Sequence, residues 1–330
     1  MKKHILSLAP FAALSALLVV AAGCGSNAAP VASVEVTPKS FRLGFPELRE
    51  VHLKWSPVEG LGDNAKPIVF VHLLDEQDEV MRTFDHPFPK RWAEGEPVEY
   101  DLKIFQSALG QPLPAGKYRL TLGLYQEGGK RWALDGLGKP FKKREYVVAD
   151  VEIPPAGQGG PIIAFSSESW LPLEAGGDRQ VLARRWMTGT AALRIQNIAA
   201  PGKAWMIVRI PEPSAVETIQ LEGGSNAPAV MVSSTCGGIE VNFTGSGSHE
   251  VEIPIDTAPA GGSCDVVLKP NFRINEVGVA AQRSAALESI AWAPAGGLPQ
   301  RDVDAEDDGV VTPTEPGKPG AGTGGTGNPR

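Results

Sequence analysis

From Ser33 onwards, apolar and polar residues follow one another in short runs with a period of two. Val34-Glu35-Val36 and Val51-His52-Leu53-Lys54-Trp55 alternate strictly. On a pleated strand this sends the apolar set to one face and the charged set to the other. Ile68 to Leu74 is instead a continuous apolar run around His72, the mark of a strand buried on both faces. Tyr100 to Ile104 alternates again. Lys117 to Tyr125 sets Tyr118, Leu120, Leu122 and Leu124 on one face, and Tyr146 to Ile153 is rich in β-forming residues. Gly and Pro separate these pieces, and no helical spacing of three and four persists beyond the first residues. The pattern predicts an all-β chain: two tandem antiparallel β-sandwiches, Ig-like or jelly-roll-like.

The second half repeats the design after Pro154-Pro155-Ala-Gly-Gln-Gly-Gly-Pro161, a linker by composition. Strands are expected at Thr190 to Ile195, Trp205 to Ile210, Glu217 to Leu221, Ile239 to Phe243, His249 to Ile253, Cys264 to Leu268 and Val277 to Ala281. Leu287 to Trp292 is expected to close the sheet. Gly245-Ser246-Gly247 reads as a hairpin turn. After Pro294 the chain turns to Gly, Pro, Thr and acid, which cannot bury enough surface to offset chain entropy. The expected organisation is a signal at 1–23, a tether at 24–32, sandwiches at 33–154 and 162–296 joined by a linker at 155–161, and a disordered tail at 297–330.

Two resemblances add to this reading. Pro112 to Tyr118 brings a tyrosine to the start of a strand just after Gly116, the sequence shape of a tyrosine corner. With Pro67 to Asp75, Asp85-His86-Pro87, Arg91-Trp92, Gly95-Glu96 and Leu122-Gly-Leu-Tyr125, it forms an ordered series over about residues 50 to 135. The series resembles a β-sandwich module found beyond the membrane domain of bacterial glycosyltransferase-like membrane proteins. That family places no agreed chemistry on these residues, so the resemblance implies a fold and no activity. Phe165 to Glu174 and Arg184-Arg185-Trp186-Met187 resemble the start of another sandwich module seen in the same company.

The N-terminus has a different pattern. Lys2 and Lys3 precede an uncharged run from Ile5 to Gly23 that ends in Val20-Ala21-Ala22-Gly23-Cys24. A basic start, an apolar stretch and small residues are the layout of a secretory signal. Small residues directly before a cysteine resemble the lipobox of bacterial lipoproteins. The resemblance implies cleavage before Cys24, lipidation of Cys24, and a protein tethered in the cell envelope, at the outer membrane, on its periplasmic or surface face. Two other readings compete: an ordinary signal cut near Ala28, and an uncleaved membrane helix. Pro10 and the diluted end of the run argue against the helix.

Composition narrows the chemistry. Of 330 residues, 42% are apolar, enough for real cores. The net charge of −7 becomes −9 once Lys2 and Lys3 leave, with 29 basic against 38 acidic residues, which excludes a nucleic-acid footprint. Besides Cys24 there are two cysteines, Cys236 and Cys264, expected as one disulfide in an exported chain. His72, Asp75, Asp85 and His86 are the residue types of a metal site, but they lack ligand spacing. No nucleophile elbow is present. The expectation is no catalytic residue, no metal and no cofactor.

The seven tryptophans are the stronger lead. Trp92 and Trp132 lie in polar, turn-rich sequence beside Arg91, Glu94, Glu96, Lys130 and Arg131, and are the candidate surface aromatics for stacking on sugar rings; the competing reading has Trp92 pinning a long loop to the core, with the flanking charges merely solvated. Trp92, Trp132, Arg91 and Arg131 are therefore the candidate ligand-binding set. The expected function is a non-catalytic binding or assembly module. Its partners would be the membrane, through the lipid, and a polysaccharide or an envelope protein. A structural subunit of an envelope complex is the alternative.

Overall fold

The alternating residues pair as their pattern requires. In the computed structural model, strands Ala32–Thr37, Leu48–Pro57 and Val98–Phe105 lie side by side and antiparallel, with Leu134–Asp135 on the far edge. The model describes residues 28–295 except 63, 127, 130, 139, 158–159, 166, 177–182, 213, 215–216, 256–261 and 277–281. Cys24, the signal run, the tail and the expected strand Val277 to Ala281 lie outside the described residues. Register aligns Val34 with Trp55 and Trp55 with Val98, and the next inward row is Val36, Leu53 and Tyr100. On the outer face the same register makes rows of charge: Glu35, Lys54 and Glu99, then Thr37, His52 and Asp101, then Glu50 and Lys103. Opposite charges sit directly across from each other, which favours this register over a slip.

A second sheet runs in the order Ser40–Arg42, Tyr146–Ile153, Gly116–Gln126, Pro67–Leu74 and Val80–Thr83, with two short strands appended. Its inward row pairs Val69 with Leu124, Val71 with Leu122 and Leu73 with Leu120. These meet the inward face of the first sheet in one core around Trp55. Tyr118 is buried there, and its hydroxyl donates to the Pro114 carbonyl at 2.8 Å, fixing the bend that leads into its strand. The run around His72 is buried on both faces, because Phe70 on the outer face is only 2% exposed. Position 123 opposite it must be glycine, since a Cβ there would overlap the Phe70 ring.

The later strands build two five-stranded sheets. One is ordered Ile162–Phe165, Ala191–Gln196, Cys264–Pro270, Ala229–Ser234 and Gly237–Thr244. The other is ordered Trp170–Ala175, Ala183–Met187, Ala286–Pro294, Gly202–Ile210 and Gly247–Ile255. Side chains of both enter a second core. A ribbon of Glu217–Leu221 with Phe272–Glu276 stands beside them. Two expectations are corrected here. Ala286–Pro294 does not border its sheet but lies at the centre, and even Glu288 and Ser289 are buried within it. Gly245 and Gly247, with φ of 90° and 122°, do not close a hairpin. They carry the chain from one sheet into the other.

The two cores are joined. Leu48, Trp205 and Ala291 are buried together with Phe105, Ile207 and Ala293 packed around them, and the Phe105 and Trp205 rings are 4.6 Å apart. Trp292 N donates to the Pro46 carbonyl at 2.8 Å, and Ala108 N to the Ile290 carbonyl at 2.8 Å. Leu109, far upstream of the linker composition, is a member of the second core. The described residues accordingly fall in one compact unit that ends at Ala295. They contain no helix, so none that is long and apolar enough to cross a membrane.

Candidate functional site

The expected tryptophan platform is not assembled. Trp132 is 4% exposed, because its pairing with Leu124 turns the indole into the first core. Trp92 packs its ring 4.9 Å from Phe88 and 6.3 Å from Trp55, and donates Nε1–H to the Glu59 carbonyl at 2.9 Å. It pins its loop to the core. Trp55, Trp170, Trp186, Trp205 and Trp292 are buried as well. Arg91 is exposed, while the Arg131 guanidinium lies 4.5 Å over the Phe70 ring.

Arg131 instead belongs to a polar cluster on the outer face of the second sheet. His72 Nδ1 is 3.2 Å from Glu145 Oε1, and His72 Nε2 is 3.6 Å from Asp85 Oδ1. Thr121 donates its hydroxyl to the same Glu145 oxygen at 2.7 Å, and Arg131 Nη1 stands 3.7 Å from Oε2. Asp85 also accepts the Val71 backbone N–H at 3.0 Å. Burial alone would raise the Glu145 pKa. The hydrogen bonds from His72 and Thr121, with the charges of His72 and Arg131, outweigh it and hold the carboxyl below its usual value. Glu145 ends the segment that crosses this face, so the cluster fastens that segment to strands Pro67–Leu74 and Gly116–Gln126. Two of the four residues weighed as metal ligands, His72 and Asp85, meet here. Asp75 caps its own turn by accepting from Gln77 N and Glu79 N, and His86 is held between the Phe84 carbonyl and the Tyr100 hydroxyl. Among the described residues no group of three or more His, Cys, Asp or Glu could hold a metal ion.

A cleft lies where the two cores join, lined by Arg82, Phe105, Ser107, Ala183, Glu288 and Ser289 among others. Glu288 is buried in its wall and accepts the Ser248 hydroxyl at 2.6 Å on Oε2. Among the described residues its Oε1 has no hydrogen-bond partner, though Arg209 and Arg184 approach to 3.6 and 3.7 Å. The cavity measures ≈ 30 Å³, which suits one or two water molecules and not an organic ligand. Sequence reasoning missed both Glu145 and Glu288. Each stands among charged or small neighbours that read as ordinary surface.

Cys236 and Cys264, expected as a disulfide, stand as neighbouring free thiols. The Ser234 hydroxyl lies 3.1 Å from Cys264 Sγ, and the Thr235 hydroxyl 3.8 Å from Cys236 Sγ and 3.9 Å from Cys264 Sγ.

No protein-family model matches the chain, and no curated protein matches it. Among solved structures, it is similar to tripeptidyl peptidase 2 at 12% identity and a TM-score of 0.22, over 79% of this chain and 20% of that one. It is similar to CBD12 from CALX1.2 at 11% identity and 0.20, over 73% and 78%. It is also similar to Bacteroides uniformis β-glucuronidase 2 at 10% identity and 0.22, over 82% and 30%. The chain thus spans about a fifth of the peptidase. At these identities and scores the likenesses add nothing to the β-sandwich character already described.

Proposed function

We propose that this chain is a non-catalytic, lipid-anchored protein of the cell envelope. In this reading Cys24 carries the lipid at the outer membrane, and two tandem β-sandwiches form a rigid assembly subunit. The observation that carries the interaction role is a pair of half-exposed apolar side chains on edge strands. Ile162, 49% exposed, lies on the edge strand of one five-stranded sheet, and Leu173, 52% exposed, on the edge strand of the other. Apolar side chains on unpaired sheet edges are what a protein partner covers. The joined cores support the same reading, since they hold both edges in one compact unit. A glycan site has less support, because Trp132 is buried and Trp92 is packed against the core.

The test is site-specific photo-crosslinking from positions 162 and 173 in cells making the full-length protein, beside pull-down on envelope polysaccharide. The expected result is one discrete protein adduct from both positions and no retention on polysaccharide. Retention on polysaccharide with no adduct would overturn the reading in favour of glycan binding. Palmitate labelling of Cys24 tests the anchor separately.

A further inference from the structure

We infer that Cys236 and Cys264 are an asymmetric redox pair, in which Cys236 reacts first with a disulfide oxidant and Cys264 then closes the protein disulfide. The backbone sets the meeting. Strands Ala229–Ser234 and Cys264–Pro270 are antiparallel, with Ser233 opposite Val267 and Ser234 opposite Val266. Thr235 N donates to the Asp265 carbonyl at 2.9 Å, and Asp265 N donates to Thr235 Oγ1 at 3.0 Å, which extends the pairing by one residue. The next step along brings Cys236 across from Cys264. The Asp265 end is held from its other side, where Arg194 grips both carboxylate oxygens at 2.7 and 2.9 Å. The turn is held too, by Cys236 N donating to Ser234 Oγ at 3.0 Å.

The two thiols are unequal in access. Cys264 is 1% exposed within the second core, whereas Cys236 is only partly buried at the turn. Burial, followed by the neighbouring Cys236, pushes the Cys264 thiol up to about 11, so it waits in the protonated form. A soluble disulfide therefore meets Cys236 first. The Cys236 thiolate attacks one sulfur of the oxidant, forming a mixed disulfide and releasing one thiol. Cys264 sulfur then attacks Cys236 sulfur and expels the second thiol, which takes the Cys264 proton. Two protein thiols are oxidised and one oxidant disulfide is reduced. The Ser234 hydroxyl, 3.1 Å from Cys264 Sγ, is placed to donate to that sulfur as its charge develops. This inference is independent of the lipid anchor and of the interaction edge.

The test uses the reduced full-length protein, glutathione disulfide as the oxidant, acid quenching and peptide mapping by mass spectrometry of each cysteine separately. The wild type should lose two hydrogens at the Cys236–Cys264 pair and retain no glutathione there. C264S should accumulate glutathione on Cys236. C236S should react at Cys264 at least about tenfold more slowly than C264S reacts at Cys236. Equal rates in the two variants, or a wild type that keeps glutathione on Cys236 without closing, would overturn the inference. Should either serine variant fail to fold, a brief pulse of N-ethylmaleimide on the reduced wild type decides. Labelling at Cys236 alone supports the order, and equal labelling refutes it.

Discussion

Lys103 Nζ lies 2.5 Å from Glu250 Oε1, although 147 residues separate them in the chain. Lys103 also reaches Glu252 at 3.1 Å, and Glu252 in turn binds Lys203 at 2.8 Å. The charge rows on the first sheet therefore continue into the last edge strand of the second core. Lys103→Ala should lower stability by about 1 kcal/mol, the upper end for exposed pairs, because one cation serves two carboxylates. Urea denaturation at low and high salt checks this. The difference between variant and wild type should shrink as salt screens the pairs.

Trp205 is the apolar counterpart of that bridge, 2% exposed and packed against Phe105 with the two rings tilted by 50°. Trp205→Ala should cost about 3–5 kcal/mol. It should also divide unfolding into two calorimetric transitions where the wild type shows one, since the variant removes the largest side chain shared by both cores. The Trp205 indole N–H is buried with no partner among the described residues. Trp205→Phe, which keeps an aromatic ring and removes that donor, should therefore cost less than the alanine variant and leave a single transition.

Trp92 and Trp132 should behave as structure. Trp132→Ala removes a core aromatic and should cost about 3–5 kcal/mol. Trp92→Ala loses contacts with Phe88 and Trp55 and the bond to Glu59, and should lower the melting temperature clearly, by less than Trp132→Ala. A Trp92→Ala protein with an unchanged melting temperature and altered polysaccharide retention would restore the sugar-platform reading.

Glu217 gives the fold an acid-sensitive joint. The Ser214 backbone N–H and the Arg283 guanidinium, 2.5 Å away, hold its carboxyl at about 2 against an ordinary 4.5. A depressed carboxyl stabilises the folded state above its unfolded pKa, and loses that contribution as pH falls through the folded value. Stability from this group should thus be complete above pH 4.5 and disappear between 4.5 and about 2. Glu217→Gln should unfold more readily at pH 6, with a flatter dependence on pH across that window. Urea midpoints at several pH values measure both effects.

The sequence was most readable where one strand face is wet. Val34, Val36, Val51, Leu53 and Trp55 went inward as alternation requires, because Glu35, His52 and Lys54 between them mark the outer face. It was least readable where tertiary packing buries polar residues. Leu287 to Trp292 was expected to close the sheet, yet Ala286–Pro294 lies at its centre with Glu288 and Ser289 buried. Trp132 stood in a polar stretch, and only its register against Leu124 sets its direction. The His72 cluster had no local signal at all, since Glu145 is 73 residues from His72 and 24 from Thr121. Spacing along a chain encodes faces of strands; it does not encode which distant strands will meet.

The central place of Ala286–Pro294 has a consequence for biosynthesis. A ribosome delivers the chain from its N-terminus, so Gly202–Ile210 and Ala183–Met187 emerge long before the strand that must slide between them. Until residue 294 is available, the second core has a gap through its middle, and the first core lacks the Trp292 contact at Pro46. Under the proposed envelope location, export machinery that threads an unfolded polypeptide would receive a substrate whose own topology delays its final collapse. A shortened chain ending before this strand would forfeit the keystone and leave two sheet edges open to aggregation.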